Sequence, residues 1–80
     1  MQHWILFHRT TAEKIAEYQT QSAARRGMRV SNRNAGWTRG SRCFTGIIET
    51  EWCHAVGNTD QWEYGPYAIA TEQNWRSIKQ

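Results

Sequence analysis

The spacing of apolar and polar positions changes several times along this chain, and each change predicts an element. His3-Trp4-Ile5-Leu6-Phe7-His8 is an apolar run rich in aromatic and branched side chains, which suits a short buried strand. Helical spacing follows: Ala12, Ile15, Ala16, Gln19 and Ala23 fall near one face, with Tyr18 on its border. Thr10 and Glu13 have the spacing of a capping box, in which each side chain satisfies an orphan backbone N–H. Gly27, just after Arg25 and Arg26, reads as a left-handed stop preceded by cations that suit a helix C-terminus. Together these signals predict a helix over about 11–26.

Met28-Arg29-Val30 alternates like a brief strand, and the turn-forming residues of 31–42 predict a long exposed loop. Phe44, Ile48 and Trp52 share one strand face, with Thr45, Glu49 and Glu51 on the other. Gly57-Asn58-Thr59-Asp60 supplies a turn, and Trp62 and Tyr64 resume the alternation until Gly65-Pro66 breaks it. Residues 43–70 therefore read as a bent antiparallel hairpin. Thr71 is placed to cap a short C-terminal helix from which Trp75 and Ile78 pack back on the sheet. The order is β-α-(β)-β-β-α, an α+β sandwich of a small antiparallel sheet with its helices on one face. It fills a single small domain, 1–80, without an internal repeat or a linker.

Length and composition sharpen this picture. At 80 residues the chain has little surface to bury, and its hydrophobic fraction is only 39%. Five tryptophans, three tyrosines and two phenylalanines compensate, because each ring buries a large area. Trp4, Trp52 and Trp75 sit at periodic apolar positions and are expected in the core, whereas Trp37 and Trp62 fall beside loops and are expected at an interface. No apolar run is long enough to span a membrane, and no signal peptide is evident, so a soluble cytoplasmic protein with no membrane partner is expected. Cys43 and Cys53 are then reduced thiols, although strand pairing would allow a disulfide.

Charge is distributed unevenly. Residues 1–24 are neutral, 25–42 hold six arginines with no lysine and no acid, and the remainder carries −3, for a net +3. Guanidinium groups offer forked donors for phosphate and planes that stack on bases. Arg25, Arg26, Arg29, Arg33, Arg39 and Arg42, with Asn32, Asn34, Trp37 and Trp62, form the candidate binding set. This mixture of charge, hydrogen bonding and stacking suits nucleic acid. The expected function is a non-enzymatic module that presents this arginine-rich segment, read as a loop, to nucleic acid.

The same residue types are also hot spots of protein interfaces. An alternative is therefore an inhibitor or adaptor of the phage or mobile-element style, whose partner is an acidic protein surface or a large nucleic-acid-processing complex. A blander alternative is a solvated basic segment, or one that answers the molecule's own acids. A third function is a small metal-free nuclease, with His8, His54, Glu49 and Glu51 supplying acid and base and Arg29 or Arg42 on the phosphate. Nothing in their spacing requires it, and no catalytic residue is assigned. Cys43, Cys53, His3, His8 and His54 lack zinc-ligand spacing, and Gly36, Gly40 and Gly46 lack the context of a phosphate loop. No metal and no cofactor are expected.

Overall fold

Strand β1 (Trp4–His8) forms where the first apolar run predicts it. The computed structural model describes residues 2–80 and, of Arg39, the backbone alone. The segment expected to begin a helix instead turns back and pairs with β1 as β2 (Lys14–Tyr18). Thr10 and Glu13 belong to this turn. Thr11 Oγ1 accepts the Glu13 N–H at 3.2 Å, and the His8 N–H donates to the Glu13 carbonyl at 2.9 Å. Ala12 takes a left-handed φ of 65° to close it.

The helix starts later and runs farther than its spacing suggests. Helix α1 spans Gln21–Asn34, with Thr20 Oγ1 accepting the Ala23 N–H at 3.1 Å as the cap. Gly27, read as a stop, lies within it. A Cβ there would fall 2.2 Å from Tyr18 Oη, so this glycine lets the helix approach β2 closely. Packing thus outweighs the roughly 1 kcal/mol that an interior glycine costs a helix.

The remaining elements are β3 (Trp37–Thr45), β4 (Ile48–Ala55), β5 (Glu63–Tyr64), β6 (Tyr67–Thr71) and α2 (Glu72–Lys79). The brief strand expected at 28–30 and the long loop expected over 31–42 are therefore absent: residues 28–34 belong to α1, 35–36 turn, and 37–42 enter strand β3. The sheet order is β2-β1-β6-β4-β3, with β5 beside β4, and each pairing among the described residues is antiparallel. The long bent hairpin expected over 43–70 is replaced by a β3–β4 hairpin, while β6 inserts between β1 and β4. Thr71 does cap α2, accepting the Asn74 N–H at 3.2 Å.

The two helices cover opposite faces of the sheet, not one. Leu6, Ile69, Ala24 and Met28 form the core under α1, flanked by Trp4, Ala16, Tyr18 and Tyr67. Ile5, Phe7, Ala68, Ala70 and Trp75 form the core under α2, with Ile48 packed against it. Strand alternation makes this possible, since Ile5/Phe7 and Leu6 point to opposite sides. Helix α2 packs on β6 and β1 and leaves its face of β4, β3 and β5 uncovered. Trp75 is buried as expected and Trp4 is half-buried, but Trp52 is 40% exposed on this uncovered face. No helix among the described residues is long and apolar enough to cross a membrane.

Candidate nucleic-acid interface

Glu49 and Glu51 are only 2% and 3% exposed, an unusual place for carboxylates. Both lie on the α1 face of β4, and α1 answers them with side chains at helical spacing. Arg25 grips Glu49 in a fork, Nε to Oε2 at 2.7 Å and Nη2 to Oε1 at 3.1 Å, while Gln21 Nε2 donates to the same Oε1 at 3.1 Å. Arg29 Nε lies 3.6 Å from Glu51 Oε2, and Asn32 Nδ2 donates to Glu51 Oε1 at 2.8 Å. The Arg25 guanidinium is pushed above its ordinary pKa, mainly by its hydrogen bond to Glu49. Part of the basic segment therefore answers the molecule's own acids.

The outer edge of this layer is a basic groove. Ser22, Arg25, Arg26 and Arg29 on α1 and Arg42 on β3 line it. Arg42 reaches the groove because it pairs with Glu51 across the β3–β4 ladder and so shares its face. Two of the four guanidiniums are held by the carboxylates beneath. Among the described residues, Arg26 and Arg42 enter no ion pair.

The other expected site residues disperse. Arg33 is exposed in the last turn of α1, and Asn34 ends that helix. Asn32 is not at the surface but 1% exposed, with Oδ1 accepting the Tyr67 N–H at 3.1 Å. Trp37 is half-buried at the start of β3, paired with Ala55. The side chain of Arg39 lies outside the described residues. Trp62 is 40% exposed and sits against His54, on the face opposite the arginine groove.

That opposite face was not legible as a site. Trp62 meets His54 edge-on with centroids 4.5 Å apart, and Trp52 meets Tyr64 likewise at 5.0 Å. Gly40 lies under Trp62, and a Cβ there would fall 2.7 Å from that ring and 1.6 Å from the Trp52 carbonyl oxygen. A β-bulge between Thr38 and Ser41 accompanies this approach. Arg9 lies 5.6 Å from the Tyr64 ring centroid and donates from Nε to the Gly65 carbonyl at 2.9 Å. The only sequence signal for this cluster was the shared parity of Trp52 and His54, and of Trp62 and Tyr64.

The structure separates the residues considered for nuclease chemistry. Glu49 and Glu51 lie under α1, whereas His54 faces the other way, and His8 is bonded to Thr10 Oγ1 at 3.0 Å. Cys43 and Cys53 are free thiols on opposite faces of the sheet, so the conceivable disulfide does not form. Burial raises both thiol pKa values, that of Cys53 to about 11. Among the described residues, donor atoms of His3, Glu17 and Glu72 lie within 4.8 Å of one another, a grouping that excludes both cysteines. Its carboxylates already bind Lys14 Nζ at 2.8 Å and Arg76 Nη2 at 2.7 Å.

No family model matches this chain, and comparison with curated proteins and with solved structures returns no match.

Proposed function

We propose that this protein is a nucleic-acid-binding module whose phosphate contacts are made in the groove between α1 and β3. The observation that carries this reading is the convergence of Arg25, Arg26, Arg29 and Arg42, with Ser22, from two elements onto one surface. The buried carboxylates give it a physical logic. Glu49 and Glu51 anchor Arg25 and Arg29 as an ordered floor, which reduces the entropy lost when an anion is bound. Arg26 and Arg42 then supply uncompensated charge at the rim. A salt titration tests this. Log K for a generic oligonucleotide should fall linearly with log salt, by about 0.7–0.9 per phosphate neutralised. Replacing Arg26 and Arg42 together with alanine should make that slope shallower by about 1.5. Binding that ignores salt, or a double variant with the parent slope, would count against the groove.

A second reading, an inhibitor or adaptor that docks on a protein, is favoured by one specific observation. Phe44 and Ile47, at the β3–β4 hairpin end, are 65% and 50% exposed and border a depression also lined by Trp4 and Ile48. Apolar side chains of this size gain nothing from a phosphate backbone but suit a protein surface. A salt-tolerant complex with one protein, lost on Phe44→Asp, together with negligible free affinity for nucleic acid, would establish this reading over the first.

A further inference from the structure

The arginine groove and the exposed aromatic cluster lie on opposite faces of the sheet, with the edge strand β3 between the groove and Trp52 on β4. Adjacent β3 residues show how close they are. Arg42 pairs with Glu51 and points into the groove, while Ser41 pairs with Trp52 and points to the aromatic side. Trp52, Trp62 and Tyr64 are each 40% exposed there, on the part of the sheet that α2 leaves uncovered. Arg9 adds a cation at the margin of the cluster, above the Tyr64 ring. Glu63 pairs with Cys53 and so belongs to the other face.

We infer that the ligand of this protein is a single-stranded nucleic acid that crosses the β3 edge, its backbone in the arginine groove and its unpaired bases stacked on Trp52 and Trp62. This rests on the nucleic-acid reading above and specifies its substrate class. A duplex fits poorly for two reasons. Its bases are already stacked on one another, so their faces are not open to Trp52, and its persistence length of about 150 base pairs prevents it from turning round a sheet edge. A single strand has neither constraint. A small single-strand module covers roughly 4–16 nucleotides, a length of flexible chain able to bend round one edge strand. Charge complements the path, since Arg26 and Arg42 meet it on one side and Arg9 on the other.

Fluorescence anisotropy with a labelled 12-nucleotide single strand and the duplex of the same sequence tests this inference. The single strand should bind at least about tenfold more tightly than the duplex. Trp52→Ala should weaken single-strand binding about 5–160-fold, the range for loss of one base–aromatic stack, and Trp52→Phe should restore most of it. Neither substitution should alter the weaker duplex binding, whereas Arg26→Ala with Arg42→Ala should weaken both. Equal affinity for the two ligands, or an unchanged single-strand affinity in both Trp52→Ala and Trp62→Ala, would overturn the single-strand inference while leaving the arginine groove standing. Failure of either oligonucleotide to bind would overturn the nucleic-acid reading together with it.

Discussion

Asn32 Nδ2 donates to Glu51 Oε1 over 2.8 Å, while Asn32 Oδ1 accepts the Tyr67 N–H at 3.1 Å, so one buried amide joins α1 to both β4 and β6. Gly65 makes room for it, since a Cβ there would lie 2.8 Å from Asn32 Nδ2. Asn32→Ala leaves a buried carboxylate oxygen and a backbone N–H without this partner. It should cost about 2–4 kcal/mol in a denaturant titration. Asn32→Asp removes the donor and sets a second carboxylate against Glu51, and should be worse at neutral pH. An Asn32→Asp protein as stable as the parent at pH 7 would refute the role given to this amide.

Glu49 and Glu51 sit too deep to serve as surface charges. Reversal of both to lysine would place two cations under α1 against Arg25 and Arg29, and should abolish cooperative thermal unfolding. Binding assays on that double variant would therefore report the loss of the fold. Circular dichroism of the purified variant provides the check, with a native-like spectrum and melting transition as the contrary result.

Truncation of Trp75 should cost far more than truncation of Trp52. Trp75 is 7% exposed, and its indole Nε1 donates to the Ala12 carbonyl at 2.9 Å, tying α2 to the β1–β2 turn. Trp75→Ala should cost about 3–5 kcal/mol and leave little folded protein in so small a domain. Trp52→Ala removes a ring from the open face and should cost distinctly less. Comparable melting temperatures for the two variants would show that the Trp52 ring contributes to stability as a core residue does.

The turn that Trp75 contacts carries a removable strain. Ala12 holds φ at 65°, where an alanine pays about 1–2 kcal/mol that glycine does not. Ala12→Gly gains back part of this against the larger entropy of an unfolded glycine, for a net stabilisation of up to about 1 kcal/mol. A lower melting temperature in Ala12→Gly would contradict this account of the turn.

Acid should loosen the β2 edge. Hydrogen bonds from Lys14 and His3 lower the Glu17 pKa to about 2, below its ordinary 4.5. The folded form thus prefers ionised Glu17, so its stabilising contribution is present above pH 4.5 and lost as pH falls toward 2. Glu17→Gln should remove that part of the acid dependence, measured as the difference between parent and variant melting temperatures from pH 6 to pH 2. Parallel curves for the two proteins would exclude it.

The first strand, the Thr71-capped C-terminal helix, the burial of Trp75 and the α+β class with an antiparallel sheet were all legible in local pattern. Each depends on local patterning or on one cap whose partner lies within a few residues. The arginine-only character of the cationic segment was legible as well. Other features follow from contacts distant in the chain. Lys14–Tyr18 carries a pattern that serves a helix or a strand, and pairing with β1 selects the strand. Gly27 reads locally as a stop, but the nearby Tyr18 ring makes it a point of close helix–sheet approach. The faces of the sheet were likewise beyond local reading. Glu49 and Glu51 alternate as outward residues would, and only the arrival of α1 with Arg25, Arg29 and Asn32 makes burial tolerable for them. Arg42 and Trp62 both belong to the candidate binding set, yet strand register sends them to opposite sides. Register depends on which strands pair, and that choice is made by contacts between residues far apart in the chain.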